Sequence, residues 1–454
     1  VVVVIGPGYF FAHNHLHGFY RGKNYALRRS WSMRGGGPRV WRSSPLGLAA
    51  VNRPESSAQE EQQAANARRK VTTMRSITRT SSGIPGRRIL TQLIALSMLA
   101  GLAACSDGGD GGDNYEGAPF AELFSQGIGR YLGVYTPMLS ETDGDVVQHF
   151  FGTGDGPLCL EGAPYSMATR ATGADELLIF LEGGGACWSD LCIATPSVNP
   201  GIPAAGINDP ARANNPMRGW NQVYVPYCDG SLHAGDMDVD TDDDGSADRF
   251  HRGLHNLSAA LDVAVSTFPS PGRIVIAGNS GGGLGTIFAL PLVRNLYPEV
   301  QIDVINDSGV GVSKPGDPSF LRQLLREWNT EAFIPESCPD CVAPDGHLTE
   351  YLIWQMDQDT TVRRAMLSYT RDTVFADTFL QIGGPAFEAA LVEEMRQQRD
   401  AHPERTQTFL PAGDGHTFVQ LEPDKTAGGV NLMDWLGFML SGSDQWVSVD
   451  DTGN

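Results

Sequence analysis

Ser280 lies in Gly278-Asn279-Ser280-Gly281-Gly282, a G-x-S-x-G pattern between an apolar run at 273–277 and a helical stretch from 284. A serine placed between strand and helix in this way is presented on a sharp turn, and the glycines keep side chains from clashing across it. Serine is a poor nucleophile at neutral pH. It needs a base to take its proton and a carboxylate to orient that base. The chemistry such a set performs is acyl transfer, which also needs N–H donors for the oxyanion.

In the order serine, acid, histidine, the base must be one of the three histidines after Ser280: His347, His402 or His416. His416 ends Pro411-Ala412-Gly413-Asp414-Gly415, a glycine-rich loop just past an apolar run at 407–410, where a base is expected. His402 closes a polar helix and reads as solvated, and no strand leads to His347. Asp372 follows the strand-like run 366–369 and is the expected acid, with Asp357, Asp359 and Asp377 as rivals. Leu181-Glu182-Gly183-Gly184-Gly185 follows an earlier apolar run. Its consecutive glycines allow close backbone approach, so Gly184, Gly185 and Gly281 are the expected oxyanion donors.

These residues need a rigid frame. Strand-length runs at 176–181, 222–227, 273–277, 301–305, 366–369 and 407–410 alternate with helical patterns at 255–268, 284–296, 320–328, 387–399 and 432–440. That alternation predicts an α/β fold, a mostly parallel sheet with helices on both faces, forming one domain over 120–454.

Charge divides the chain. Through Cys105 there are 15 Lys and Arg against 3 Asp and Glu, a balance of +12; beyond it there are 18 against 50, a balance of −32. So acidic a body repels phosphate backbones, which excludes nucleic acid as a partner. Arg87-Arg88, the apolar run 89–104 and the small-residue exit Leu102-Ala103-Ala104-Cys105 read as an export signal over 74–105 starting at Met74. The exit resembles a bacterial lipobox, with Cys105 as the lipidated residue; the other reading is an ordinary signal peptide with an incidental cysteine. Residues 1–73 read as a disordered upstream extension in which His13, His15 and His17 are a weak metal signal, and 106–119 as a Gly/Asp tether. The expected location is the cell envelope, held through lipid at Cys105, or the exterior.

The motifs together resemble the pectin acetylesterase family, which includes the Notum-type carboxylesterases. Cys159-Leu160-Glu161-Gly162-Ala163-Pro164 resembles its C-x-D-G-x-P segment, and 181–185 its LEGGG. Tyr227-Cys228-Asp229-Gly230-Ser231 with Gly235-Asp236 is similar to YCDGxxxxGD, Gly278–Gly282 to G-x-S-A-G-G, and Asp307-Ser308-Gly309 to DSG. The resemblance implies an α/β-hydrolase fold, a Ser280–Asp372–His416 triad without metal or organic cofactor, and ester hydrolysis through an acyl-enzyme. Gly281 stands where the family has alanine, and the surroundings of Asp372 match loosely.

Six cysteines follow Cys105, an even number that suits disulfides in an exported protein. The resemblance implies Cys159–Cys228 and Cys187–Cys192, which leaves Cys338 with Cys341. Zinc is the rival, but Cys338-x-x-Cys341 lacks a second C-x-x-C. Asp240, Asp242, Asp244 and Asp248 repeat the start of a calcium loop without the closing glutamate of an EF-hand, and a solvated acidic loop is the other reading. The function expected is a serine carboxylesterase acting on acetyl esters of a polysaccharide such as pectin. The alternatives are a lipase or polyester hydrolase with a longer acyl pocket and a non-catalytic binding module.

Overall fold

A computed structural model describes residues 117–154 and 156–451. The extension, the export signal, Cys105 and the tether as far as 116 lie outside the described residues. Ten strands form the main sheet among these residues: β1 (Leu139–Asp143), β2 (Val146–Phe150), β3 (Ser166–Arg170), β4 (Glu176–Leu181), β5 (Asn221–Val225), β6 (Arg273–Asn279), β7 (Gln301–Asp307), β8 (Arg363–Leu367), β9 (Thr406–Leu410) and β10 (Val449–Asp450). Their spatial order is β1-β2-β3-β5-β4-β6-β7-β8-β9-β10. The pairings from β1 through β3 to β5 are antiparallel, and every later pairing is parallel.

The central strands are buried on both faces, as a parallel sheet covered by helices must be. Leu177, Ile179 and Leu181 of β4 point into one apolar cluster, and Leu178 and Phe180 into the other. The first cluster takes side chains from α1 (Gly253–Thr267), α2 (Gly281–Leu296), α3 (Pro318–Glu327), α4 (Thr349–Gln358) and α5 (Gly384–Ala401). The second is closed by α6 (Leu432–Ser441). This is the α/β-hydrolase arrangement, with helices on both faces in unequal number. No helix among the described residues is long and apolar enough to cross a membrane.

The six expected strands and five expected helices form, with boundaries moved by a few residues. α2 starts at Gly281 rather than 284, because packing beneath the elbow overrides the poor helix propensity of three glycines. Strands β1 to β3 were not legible. β1 is exposed along its whole length, and β3 buries Ser166, Thr169 and Arg170 beside its apolar residues. Arg170 is satisfied by Gln222 at 2.6 Å and Asp145 at 2.7 Å, so no period of two appears in the hydropathy. The short α4 was also missed.

Three disulfides form, Cys159–Cys228, Cys187–Cys192 and Cys338–Cys341. The last leaves no thiolate pair there for zinc. At the sheet end opposite Ser280, Asp303 of β7 is fully buried between Arg273 of β6 and Arg363 of β8, each with Nε 2.8 Å from a carboxylate oxygen. It joins the three strands that carry the site. Removing one partner from a buried ion pair leaves uncompensated charge, at a cost of about 3 kcal/mol. Asp303→Ala should lower stability by that amount in urea unfolding; a loss near zero would show the clamp to be dispensable.

Candidate active site

β6 ends at Asn279, and Ser280 bridges it to α2 with φ 55° and ψ −122°. A non-glycine residue in such a conformation is strained and must be held by its surroundings. Two glycines make the turn possible. A Cβ on Gly278 would sit 2.1 Å from the Gly282 carbonyl oxygen, and one on Gly282 would sit 2.2 Å from that of Leu181. The Ser280 N–H donates to the Asp307 carbonyl at 2.8 Å, which fixes the turn to the end of β7.

The loop after β9 brings His416 to the serine. Its Nε2 lies 2.7 Å from Ser280 Oγ, and its Nδ1 lies 2.7 Å from Asp372 Oδ2. A carboxylate only accepts, so Nδ1 carries the proton and Nε2 presents its lone pair to the hydroxyl. Asp372 is fully buried, and its Oδ1 accepts the N–H groups of Val374 at 3.0 Å and Phe375 at 3.1 Å. Its lone pairs are thereby directed, and the carboxylate cannot swing away from the imidazole.

The rival residues are engaged elsewhere. Asp359 is buried against Arg294, Asp377 is exposed, and Asp357 lies beside His402. His347 Nδ1 accepts from the Ser313 N–H at 3.0 Å, deep in the core. His402 is not solvated as its sequence context suggests; it is largely buried and takes a hydrogen bond from Arg405 Nη2 at 2.9 Å.

The glycine loop after β4 packs directly on the elbow. The Gly183 N–H donates to Asn279 Oδ1 at 2.9 Å, so that amide is already engaged. Gly185 has φ 91° and begins a hairpin (Gly185–Cys187 with Cys192–Ala194) closed by the Cys187–Cys192 disulfide. Gly281 opens α2, where first-turn amides have no partner within the helix. Asn279 Nδ2 also donates to Gln420 Oε1 at 3.1 Å, and its side chain thus links the glycine loop to the histidine loop. Sequence reading passed over Asn279, although its position beside the nucleophile was a signal.

The Tyr-Cys-Asp-Gly segment has a related task. Asp229 Oδ1 accepts from the Ser231 N–H, the Ser231 hydroxyl and the His233 N–H, folding a turn in which Leu232 and His233 both have positive φ. His233 Nε2 donates to the Glu182 carbonyl at 2.9 Å, and burial lowers its pKa, consistent with a neutral ring. Leu232 lines an apolar cavity of about 80 Å³ beside Ser280, with Trp188, Phe288, Phe320, Leu324 and Phe379.

Asp240, Asp242 and Asp244 gather at the exposed tip of a hairpin, with one oxygen from each within 4.8 Å of the others. Asp248 turns instead to Thr241, and Asp240 accepts the Gly245 N–H, which lowers its pKa.

The pectinacetylesterase family matches residues 146–345. Pectin acetylesterase 11 of Arabidopsis thaliana is 25% identical over 212 residues, covering 42% of this chain and 53% of the plant protein. Pectin acetylesterase 4 of the same plant is 27% identical over 204 residues, 40% of this chain and 49% of its own. The palmitoleoyl-protein carboxylesterase notum2 of Xenopus laevis is 26% identical over 213 residues, 40% and 42% of the two chains. Over residues 146–345 the chain is therefore similar to the pectinacetylesterase–Notum family. It spans about half the length of the curated relatives it matches. The family match includes Ser280 and the glycine loop but stops short of Asp372 and His416, whose positions come from the geometry alone.

Two glycines of this site differ in what they tolerate. A Cβ on Gly183 would lie 2.2 Å from the Asn279 carbonyl oxygen and 2.8 Å from Ser280 Cβ, whereas one on Gly281 would meet the Gly185 oxygen at 3.0 Å. Gly183→Ala should cost about 2 kcal/mol through overpacking, and Gly281→Ala, with its longer approach, should cost clearly less. Thermal unfolding of both variants checks this, and equal losses would contradict it.

Proposed function

We propose that the protein is a serine carboxylesterase that cleaves short acyl groups, acetyl foremost, from a polysaccharide. The observation that carries the reading is the hydrogen-bonded series Ser280–His416–Asp372 on a strained elbow, beside a glycine loop. A module that only bound ligand would have no need to hold a buried carboxylate on this imidazole.

Ser280 Oγ attacks the ester carbonyl while His416 Nε2 takes its proton, and Asp372 balances the imidazolium through Nδ1–H. The oxyanion is met by the N–H groups of Gly184, Gly185 and Gly281. Collapse breaks the ester bond to the alcohol oxygen, which leaves with the proton from Nε2. Water then attacks the acyl-serine, His416 again serving as base, and the carboxylate departs.

The acyl cavity supports the chain length. At about 80 Å³ the cavity is about half the ~150 Å³ that takes up benzene, which supports a short acyl group with one to three carbons beyond the carbonyl, acetyl through butyryl. A longer acyl chain is the second reading, favoured by walls that are apolar apart from Ser280 and Ser313. Relatives named for pectin and for a palmitoleoyl protein match this chain comparably. Three disulfides support export, with lipid at Cys105 as the proposed membrane attachment and 120–454 as the hydrolase domain.

With p-nitrophenyl esters from acetate to palmitate, activity should peak between acetate and butyrate and vanish in Ser280→Ala. Asp372→Asn should lower kcat by about 10⁴. A palmitate optimum would move the protein to the second reading, and equal activity in Ser280→Ala would remove the serine mechanism.

Charge limits the polymer. The 18 basic against 50 acidic residues beyond Cys105 repel a polyuronate as they repel phosphate. Acetate release from acetylated, de-esterified pectin should therefore rise several-fold between about 10 mM and about 150 mM salt, as screening shortens the field. Release from neutral acetylated xylan should stay flat; an equal response would show that the field does not reach the site.

A further inference from the structure

Asp307 lies at the end of β7 with its side chain fully buried, and the triad leaves it unused. Its backbone carbonyl accepts the Ser280 N–H at 2.8 Å. Its Oδ2 accepts two consecutive amides of the histidine loop, Phe418 and Val419, each at 2.8 Å. The next residue, Ser308, is held at φ 60° and donates its hydroxyl to the His416 carbonyl. One dipeptide thus grips the nucleophile turn on one side and the histidine loop on the other.

We propose that Asp307 is a positioning residue for the hydrolysis: it fixes the histidine loop in register with the elbow, and its negative charge supports the His416 imidazolium. This rests on the esterase reading for its kinetic consequences and goes beyond it by giving His416 a second carboxylate. The roles of the two acids differ. Asp372 holds the ring through Nδ1, while Asp307 holds the backbone that carries the ring.

The surroundings explain why a carboxylate, rather than an amide, matters here. Burial pushes the Asp307 carboxyl up to about 7, opposed by the Val419 and Phe418 amides, the His416 charge and the Ser308 hydroxyl. The charge of His416 acts on this carboxyl, and the imidazole's Nδ1 is held by Asp372. The same amides and the same imidazolium favour the ionised form that burial disfavours.

Asp307→Asn separates charge from shape. An asparagine oxygen can still accept both amides, and its NH₂ can donate to the Ser308 hydroxyl. Asp307→Ala removes the grip as well. In the esterase assay the asparagine variant should keep its KM, lose about tenfold in kcat, and show the acid limb of kcat/KM about one unit lower, because an anion no longer favours the cation. The alanine variant should lose about 100-fold in kcat, as a displaced base does. A residue that only supported folding would lower the melting temperature and leave the pH limb in place.

The His416 titration, followed by NMR in wild type and Asp307→Asn, reads the charge without any substrate. A lower midpoint in the variant is expected, and an unchanged midpoint overturns the proposal. If the variant does not fold, the wild-type curve decides. A second inflection from Asp307 near neutrality supports the proposal, and a single one-proton curve overturns it. An inactive wild type with a shifted His416 midpoint would sink the esterase reading alone. An active wild type matched by Asp307→Asn in kcat, KM and pH limb would sink this inference alone.

Discussion

The site depends on a turn that the backbone resists. Ser280 must adopt a positive φ to lift its hydroxyl clear of the sheet, and the chain around it is shaped to hold that conformation. The close approaches of Gly278 to Gly282, Gly282 to Leu181 and Gly183 to Asn279 leave no room for a β-carbon. β4, β6 and β7 end together, with Gly278 paired to Leu181 and Asn279 paired to Asp307. The glycine loop, the elbow and the Asp307 carbonyl therefore arrive at the same place because the strand register delivers them there.

Acidic side chains with different tasks are buried in a chain that is already strongly negative. Asp303 is neutralised by two arginines, Asp372 is held by backbone amides and an imidazole, and Asp307 by two backbone amides and the Ser308 hydroxyl. Burying a carboxylate costs heavily unless its lone pairs are filled. Around Asp372 and Asp307 four of the donors are backbone N–H groups, which cannot titrate away. This makes the histidine loop and the turn after β8 rigid without adding positive charge to the cleft.

Legibility followed hydropathy. The parallel core could be read because strands buried on both faces appear as unbroken apolar runs such as Leu177 to Leu181. β1 could not, since all five of its residues are exposed, and β3 could not, since its buried Arg170 and Thr169 break the apolar run. His402 read as solvated because its neighbours in sequence are polar, while its partner Arg405 and neighbour Asp357 hold it in a largely buried position.

The residue types that meet at the site, and their chain order, could be read from the sequence alone: Ser280 on a strand-to-helix turn, a glycine loop before it, and Asp372 and His416 after it. Those follow from local chemistry, because a tight turn demands glycine and a strand demands an apolar run. Which aspartate reaches His416, and that Asn279 and Asp307 tie the loops together, were decided only by the tertiary structure. Asp357, Asp359, Asp372 and Asp377 look alike along an acidic chain. Only Asp372 follows β8 at the point where the His416 loop returns beside it, and a carboxylate's role is set by the donor it meets there.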